Sequence, residues 1–236
     1  MLPLAILAGG YATRLGLLTA ETPKCLIKIN GRPFVDWQLD LLMEHGYSDF
    51  VFCVSYKSDS VQEYLGDGSN RGARIQYSLD GDTQLGTGGA IQKALPKLGE
   101  MFGVIYGDSY LPTNYAAAER CFLNSKSHAL MTVYENKNQF DASNVEFIDG
   151  KLINYEKGSK DRQMHHIDYG ITFFRETAFR AWVDYATFDL SEVSHQLATQ
   201  GQLLGFEVFE RFYEIGSLQG IGEFSQYLKE VSNELQ

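Results

Sequence analysis

Residues 4–8, Leu-Ala-Ile-Leu-Ala, form a short apolar run that stops at Gly9-Gly10. An uninterrupted run of this length, closed by glycines, predicts a central strand buried on both faces of a parallel sheet. Apolar residues then recur at helical spacing over 34–45, with Phe34, Trp37, Leu41 and Leu42 on the pattern. Phe50 to Ser55 reads as the next apolar strand, and a helical stretch follows around Val61 to Leu65. Arg74 to Ser78 alternates as a strand does, Ala90 to Leu98 has helical spacing, and Gly103 to Tyr106 is a strand ending at Gly107-Asp108. Strand and helix in alternation predict βαβ units, hence an α/β fold with a doubly wound, mostly parallel, Rossmann-like sheet.

The texture changes near residue 128. His128 to Tyr134, Val145 to Ile148, Lys151 to Lys157 and Tyr169 to Phe174 read as strands, with Asp149-Gly150 as a hairpin turn between the second and third. Helices are expected at 176–186, 191–200 and 218–230. No repeat or long linker breaks the chain, so residues 1–236 are expected to form one domain. A first half of about 1–127 is followed by a mixed-strand lobe over about 128–236. Ligands of open α/β sheets bind beyond the carboxyl ends of the strands. Gly9-Gly10 and Gly107-Asp108 both fall at such ends and are expected to face one crevice.

Composition narrows the picture. The 236 residues are 44% apolar and 21% charged, enough to bury a core and keep a polar surface. A net charge of −10 disfavours general binding to nucleic acid or to an anionic membrane. Any polyphosphate must be held by a few local cations, backbone N–H groups and a metal ion. The opening Met1-Leu2-Pro3-Leu4 lacks a basic segment and reads as the approach to a buried strand, not a signal peptide. No apolar run approaches the roughly 20 residues that cross a bilayer. Three scattered cysteines, Cys25, Cys53 and Cys121, make neither a disulfide framework nor a zinc motif, and a reducing cytoplasm is the expected location.

Several residue groups carry candidate chemistry. Two glycines after a strand let the backbone approach an anion closely, and Arg14 and Lys24 add cations suited to phosphate oxygens. A plain glycine turn with surface cations is the ordinary alternative. The spacing matches neither G-x-G-x-x-G nor the P-loop. Gly86, Gly88 and Gly89 offer a bare backbone patch ahead of a helix, able to lie against a base or ribose, or simply a flexible loop. Asp108, at a strand end, is placed to hold Mg²⁺ or to cap a turn. Glu214 lies in an apolar patch and Lys157 in a polar stretch. His165 and His166 are adjacent, so on a strand they face opposite ways and make a poor metal pair. Trp37 and Trp182 are expected in the core.

Taken in order, these fragments carry a resemblance. L-A-G-G-x-x-x-R-L over residues 7–15, then Pro23-Lys24, resembles the signature of the sugar-1-phosphate nucleotidyltransferases. Gly31-Arg32-Pro33-Phe34, Leu85-Gly86-Thr87-Gly88-Gly89-Ala90, Tyr106-Gly107-Asp108, Tyr155-Glu156-Lys157, Tyr169-Gly170 and Phe212-Tyr213-Glu214-Ile215-Gly216 resemble later segments of the same family. Among compact members the likeness is strongest to the heptose-1-phosphate guanylyltransferases. Three positions depart from the commoner pattern: Ala12 stands where glycine is frequent, Gly158 where proline is usual, and Glu214 where aspartate is usual.

The resemblance implies a nucleotidyltransferase sheet of the kind also used by glycosyltransferases, with its mixed-strand lobe holding a sugar. It implies attack by a sugar-1-phosphate oxygen on the α-phosphorus of an NTP, releasing pyrophosphate, for bacterial surface-polysaccharide synthesis. Arg14 and Lys24 would be catalytic. Leu7, Ala8, Gly9, Gly10, Thr13, Gly86, Thr87 and Gly88 would bind the nucleotide, with Asp80, Asp82 and Gln84 as candidates at the base. Glu156, Lys157, Tyr169 and Gly170 would hold the sugar phosphate, and Asp108 and Glu214 the Mg²⁺. Partners would be the NTP and the acceptor, with homo-oligomers open. Three other readings stay open: cytidylyl or uridylyl transfer to another phosphorylated acceptor (MurNAc 1-phosphate or a non-sugar phosphate), a catalytically silent nucleotide-binding subunit, and a glycosyltransferase. Gly107-Asp108-Ser109 lacks the first carboxylate of the Asp-x-Asp motif that the last would show.

Overall fold

The computed structural model describes residues 1–10, 22–55, 57–81, 83–158 and 164–234. Strand β1 (Leu4–Leu7) lies at the centre of the sheet. It runs parallel to β4 (Asp49–Val54) on one side and to β6 (Met101–Tyr106) on the other, and β5 (Arg74–Leu79) continues the parallel run beyond β4. Past β6 the direction reverses. The long strand β11 (His166–Arg175) is antiparallel to β6 and to β8 (Ala129–Glu135), and β12 (Leu203–Val208) lies parallel to β8. The hairpin of β9 (Val145–Ile148) and β10 (Lys151–Tyr155) joins at the start of β11, where His166 pairs with Val145. Its turn is Asp149-Gly150, both at positive φ, as a two-residue hairpin requires.

The period of two along the strands sorts side chains onto two faces. Leu4, Ile6, Phe50, Phe52, Val54, Ile105 and Phe173 point one way. They pack against α1 (Phe34–Glu44), α2 (Ser58–Leu65) and α4 (Tyr115–Asn124) through Val35, Leu39, Val61, Leu65, Ala118 and Phe122. Ala5, Val51, Cys53, Val104 and Phe174 point the other way, toward α3 (Gly86–Leu98) and α5 (Leu190–Thr199). Ala5 and Cys53 are small, so α3 lies close: the Cys53 thiol is 3.8 Å from the Ala90 carbonyl. A third apolar group, Ile29, Phe34, Ile215, Phe224 and Leu228, seats α6 (Leu218–Glu234) against the start of α1. No helix among the described residues is long and apolar enough to cross a membrane.

Several boundaries differ from the sequence expectation. Helix α3 begins at Gly86 rather than Ala90, so the glycine-rich stretch is its first turn and not a loop. The strand expected over Lys151–Lys157 ends at Tyr155. The expected helix at 176–186 is a 3-10 helix over Glu176–Trp182. Strand β12, helix α4, and the short ladders β2 (Lys28–Ile29) with β3 (Arg32–Pro33) and β7 (Ser109–Tyr110) with β13 (Tyr213–Glu214) had no counterpart in the expectation.

Candidate functional site

The carboxyl ends of β1, β4 and β6 open into one cavity of about 220 Å³. Leu7, Ala8, Gly9, Gly10, Lys24, Asp80, Gln84, Gly86, Thr87 and Asp108 line it, together with Cys25, Cys53, Ala90, Tyr106 and Gly107. Backbone bonds fix the rim. The N–H of Ala8 donates to the Cys53 carbonyl at 2.9 Å and that of Gly107 to the Leu7 carbonyl at 2.9 Å. Ser55 Oγ donates to the Gly9 carbonyl at 2.6 Å. The turn carrying Asp108 is fastened from below by a buried amide: Gln38 Nε2 donates to the carbonyls of Tyr106 (2.8 Å) and Ser109 (2.7 Å). Sequence reasoning missed Gln38, a polar residue on the core face of α1 whose burial demands such partners. Cys25 and Cys53 remain thiols, because burial pushes both up to about 12.

Lys24 Nζ lies 2.5 Å from Asp108 Oδ2, a pair in which both side chains are only about a quarter exposed. Glu214 joins them through the β7–β13 ladder: it faces Ser109, and the Ile215 N–H donates to the Asp108 carbonyl at 3.0 Å. The Glu214 side chain is solvent-accessible and lines a neighbouring hollow with Asp141, Arg211 and Gly216. The protein mass around its carboxyl, followed by the charges of Asp108 and Asp141, nonetheless pushes it up to about 7. Two mutually repelling carboxylates beside one lysine fit a hard divalent cation, which needs only one or two carboxylates when phosphates and water complete its shell. No larger cluster of metal-ligating side chains occurs among the described residues.

The residues expected at the acceptor fall into different places. Glu156 and Lys157 line a separate, wider hollow with Trp182, Tyr185, Glu192, His195 and Gln196. Trp182, expected in the core, stacks on Phe188 at 4.7 Å and forms part of that wall. Lys157 Nζ is held by Asp189 at 2.8 Å. Tyr169 does not face the cleft: it is 2% exposed and packs edge-on against Phe212, and its buried hydroxyl has no partner among the described residues. The expectation that it binds sugar phosphate is therefore corrected. The pleat turns Tyr169 into the core and its neighbours Asp168 and Gly170 the other way. Here the β11–β8 register slips, Gly170 takes φ +115°, and its N–H donates to Asp168 Oδ1 at 3.0 Å. Gly170 itself is buried beside Leu111 and Ser109. Asp168 is the carboxylate that sequence reasoning passed over. Burial pushes it up to about 6 against the Gly170 N–H and Lys157. The two-residue alternation ahead of Gly170 was the available signal.

Gly88 also changes role. Its N–H donates to the Phe188 carbonyl at 3.0 Å, and a Cβ there would come within 2.3 Å of the Phe188 ring. It is a packing glycine outside the cavity lining, whereas Gly86 and Thr87 face the cavity. His165 is exposed while His166 is buried near Glu207 at 3.2 Å, so the two do point apart. Thr13, Arg14 and Asp82 lie outside the described residues.

An α/β sheet with a glycine-rimmed cavity at its strand ends, holding a lysine paired with a carboxylate, has the features of a site for phosphate chemistry. The family model described as nucleotidyl transferase matches residues 4–229, and the chain belongs to that family. Over 114 residues it is 37% identical to the N-acetylmuramate alpha-1-phosphate uridylyltransferase of Neisseria meningitidis, covering 48% of this chain and 49% of that protein. Over 105 residues it is 35% identical to the D-glycero-alpha-D-manno-heptose 1-phosphate guanylyltransferase of Campylobacter jejuni, covering 44% and 47%. The matches thus span about half the length of these relatives. The fold is that of HddC from Yersinia pseudotuberculosis (TM-score 0.80, 22% identity, 97% of this chain and 100% of that one). It is equally that of the inositol-1-phosphate CTP transferase from T. maritima (TM-score 0.79, 20% identity, 98% and 97%).

Proposed function

We propose that the chain transfers a nucleoside monophosphate from an NTP to a sugar 1-phosphate, releasing pyrophosphate, with Mg²⁺ as the metal. The observation that carries this reading is the shared cleft. Gly9, Gly10 and Asp108 follow the ends of parallel strands, Lys24 reaches Asp108 from the short 3-10 helix Lys24–Leu26, and Glu214 is laddered beside Asp108. In this reading Leu7 to Gly10, Gly86 and Thr87 receive the nucleotide, and Thr13 and Arg14 complete the triphosphate end. Lys24 leaves Asp108 to meet phosphate charge as it develops, which is where a fixed cation accelerates phosphoryl chemistry. Asp108 and Glu214 hold the Mg²⁺, which lowers the phosphates' negative charge when bound. Glu156, Lys157 and Asp168 orient the acceptor, and two reacting anions are brought together by position rather than by a covalent intermediate.

Asp80 and Gln84, both on the cavity wall, are placed for the base. A carboxylate accepts well from the N1–H and amino group that guanine presents side by side, which favours GTP. Similarity to a heptose 1-phosphate guanylyltransferase supports the same choice and a heptose or hexose 1-phosphate acceptor for surface-polysaccharide synthesis. The similarity to an N-acetylmuramate uridylyltransferase supports a second reading with UTP. Three free cysteines and the absence of a spanning helix among the described residues fit work in the cytoplasm. A matrix of four NTPs against a panel of sugar 1-phosphates and phosphocholine, read by pyrophosphate release with Mg²⁺, tests all of this. GTP with a heptose or mannose 1-phosphate should give the highest rate. No pyrophosphate from any pair would sink the proposal.

A further inference from the structure

Three consecutive residues, Phe188, Asp189 and Leu190, link the wall of the nucleotide cavity to Lys157 in the separate hollow. The Phe188 carbonyl accepts from the N–H groups of Gly88 (3.0 Å) and Gly89 (3.3 Å), and the Phe188 N–H donates to the Leu85 carbonyl at 3.1 Å. The Leu190 N–H donates to Thr87 Oγ1 at 2.8 Å. The first turn of α3, whose Gly86 and Thr87 wall the nucleotide cavity, is thereby clipped to this segment. Between the clips stands Asp189. Its Oδ2 accepts from Lys157 Nζ at 2.8 Å, and its Oδ1 accepts from the Ser191 N–H at 2.8 Å. The Glu192 carboxylate accepts in turn from the Asp189 N–H at 2.9 Å, completing a capping box on α5. One oxygen is thus committed to the helix and fixes the aim of the other.

We propose that Asp189 is a positioning residue for the reaction, holding the Lys157 ammonium at a set distance from the nucleotide-cavity wall until the acceptor phosphate takes it over. The inference rests on the role given to Lys157 above. More than half of the Lys157 side chain is exposed, and its four-carbon stem would otherwise sample many rotamers. A pair this open to solvent is weak, so an incoming phosphate dianion displaces Asp189 without large cost. Burial would raise the Asp189 carboxyl, but its bonds to Lys157 and Ser191 outweigh that and hold it below the usual range. Thr87 and Lys157 are then two arms of one bracket, which fixes the nucleotide wall and the acceptor cation relative to each other.

Two substitutions separate this role from helix capping. Asp189→Asn keeps a good N-cap but removes the charge; Asp189→Glu keeps the charge but is a poorer cap. With the most active substrate pair, Asp189→Asn should raise the acceptor KM about fivefold, the worth of one surface pair, with the NTP KM unchanged and the melting temperature lowered by no more than a few degrees. Asp189→Glu should lower the melting temperature yet bring the acceptor KM back toward wild type. An acceptor KM that stays at the wild-type value in Asp189→Asn, or that follows melting temperature across both variants, overturns the inference. A second readout needs no turnover: acetylation of Lys157 by acetic anhydride, followed by peptide mass spectrometry. Labelling should rise about threefold in Asp189→Asn, and inorganic phosphate should protect Lys157 in the wild type. Equal labelling in the two proteins overturns the inference. A wild type that releases no pyrophosphate from any pair instead defeats the proposed function, leaving the labelling to decide this one.

Discussion

The cavity proposed for the nucleotide and the separate hollow proposed for the acceptor are built from different material. The cavity proposed for the nucleotide is framed by backbone, the turns after β1 and β6 and the first turn of α3, locked by main-chain bonds such as Gly107 N–H to the Leu7 carbonyl, with Lys24, Asp80, Gln84 and Asp108 as its polar side chains. The residues proposed for the acceptor are side chains, Glu156 and Lys157 in the hollow and Asp168 on β11, carried on antiparallel strands and the segments beside them. The first surface suits a ligand part that does not vary, because changing a side chain leaves a backbone cradle in place. The second is remade by single substitutions. Relatives that share the triphosphate of their donor and differ in base and acceptor are expected to divide their sites in this way.

The sharpest way to break the comparison is at the charged pair inside the nucleotide cavity. Lys24→Ala and Asp108→Asn each remove one side of the 2.5 Å pair. Each should slow pyrophosphate release on the order of 10²-fold or more, because fixed charge at a developing phosphate transition state has about that worth. Near-normal turnover in both would mean that the backbone cradle alone carries the donor end.

The next effect concerns stability. Gly88 and Gly10 both belong to glycine-rich stretches of the nucleotide cavity, yet a Cβ at Gly88 would meet the Phe188 ring at 2.3 Å while one at Gly10 would meet no described residue within 4 Å. Gly88→Ala should therefore cost about 1–3 kcal/mol in urea unfolding, as overpacked cores do, and Gly10→Ala no more than about 0.5 kcal/mol. Equal costs would return Gly88 to the ligand-facing role that the sequence suggested.

The same contrast explains what was legible in the sequence. The runs from Leu4 and Phe50 and the turn at Gly107-Asp108 were readable because a doubly buried parallel strand leaves a long local signature and its glycines mark the carboxyl ends. Lys24, Asp108 and the wall glycine Gly86 were found with them. What failed depends on contacts distant in sequence. Gly88 is a glycine because of Phe188, 100 positions later, and nothing local announces it. Gln38 is buried beneath Asp108 only once α1 has docked. Strand β12 (LLGFEV) escaped notice because Gly205 interrupts its pattern, and Phe147 fills the space above that glycine. Tyr169 was misread because family likeness names a segment, whereas the pleat decides which neighbour faces the ligand.

The pH-dependent effect is the most discriminating, because it asks whether Asp168 serves a ligand or only the core. Burial raises its carboxyl from an ordinary 3.8 to about 6, against the Gly170 N–H and Lys157, with the hydroxyls of Tyr106 and Tyr155 and the carboxylate of Glu214 also nearby. The folded chain then keeps this proton where the unfolded chain has released it. The stability contributed by the group is fully present below about pH 4 and is lost as pH rises through about 6. Asp168→Asn retains an oxygen for the Gly170 N–H and has no charge to desolvate. It should be more stable than wild type at pH 7 by on the order of 1–3 kcal/mol, with the advantage vanishing near pH 4. Melting curves for the two proteins that run parallel from pH 4 to 7 would remove the buried charge from the account. If the curves diverge as expected and the acceptor KM also rises in Asp168→Asn, then the fold tolerates an unfavourable ionised carboxylate at neutral pH for the acceptor it binds. That combination marks a residue kept for the ligand rather than for packing.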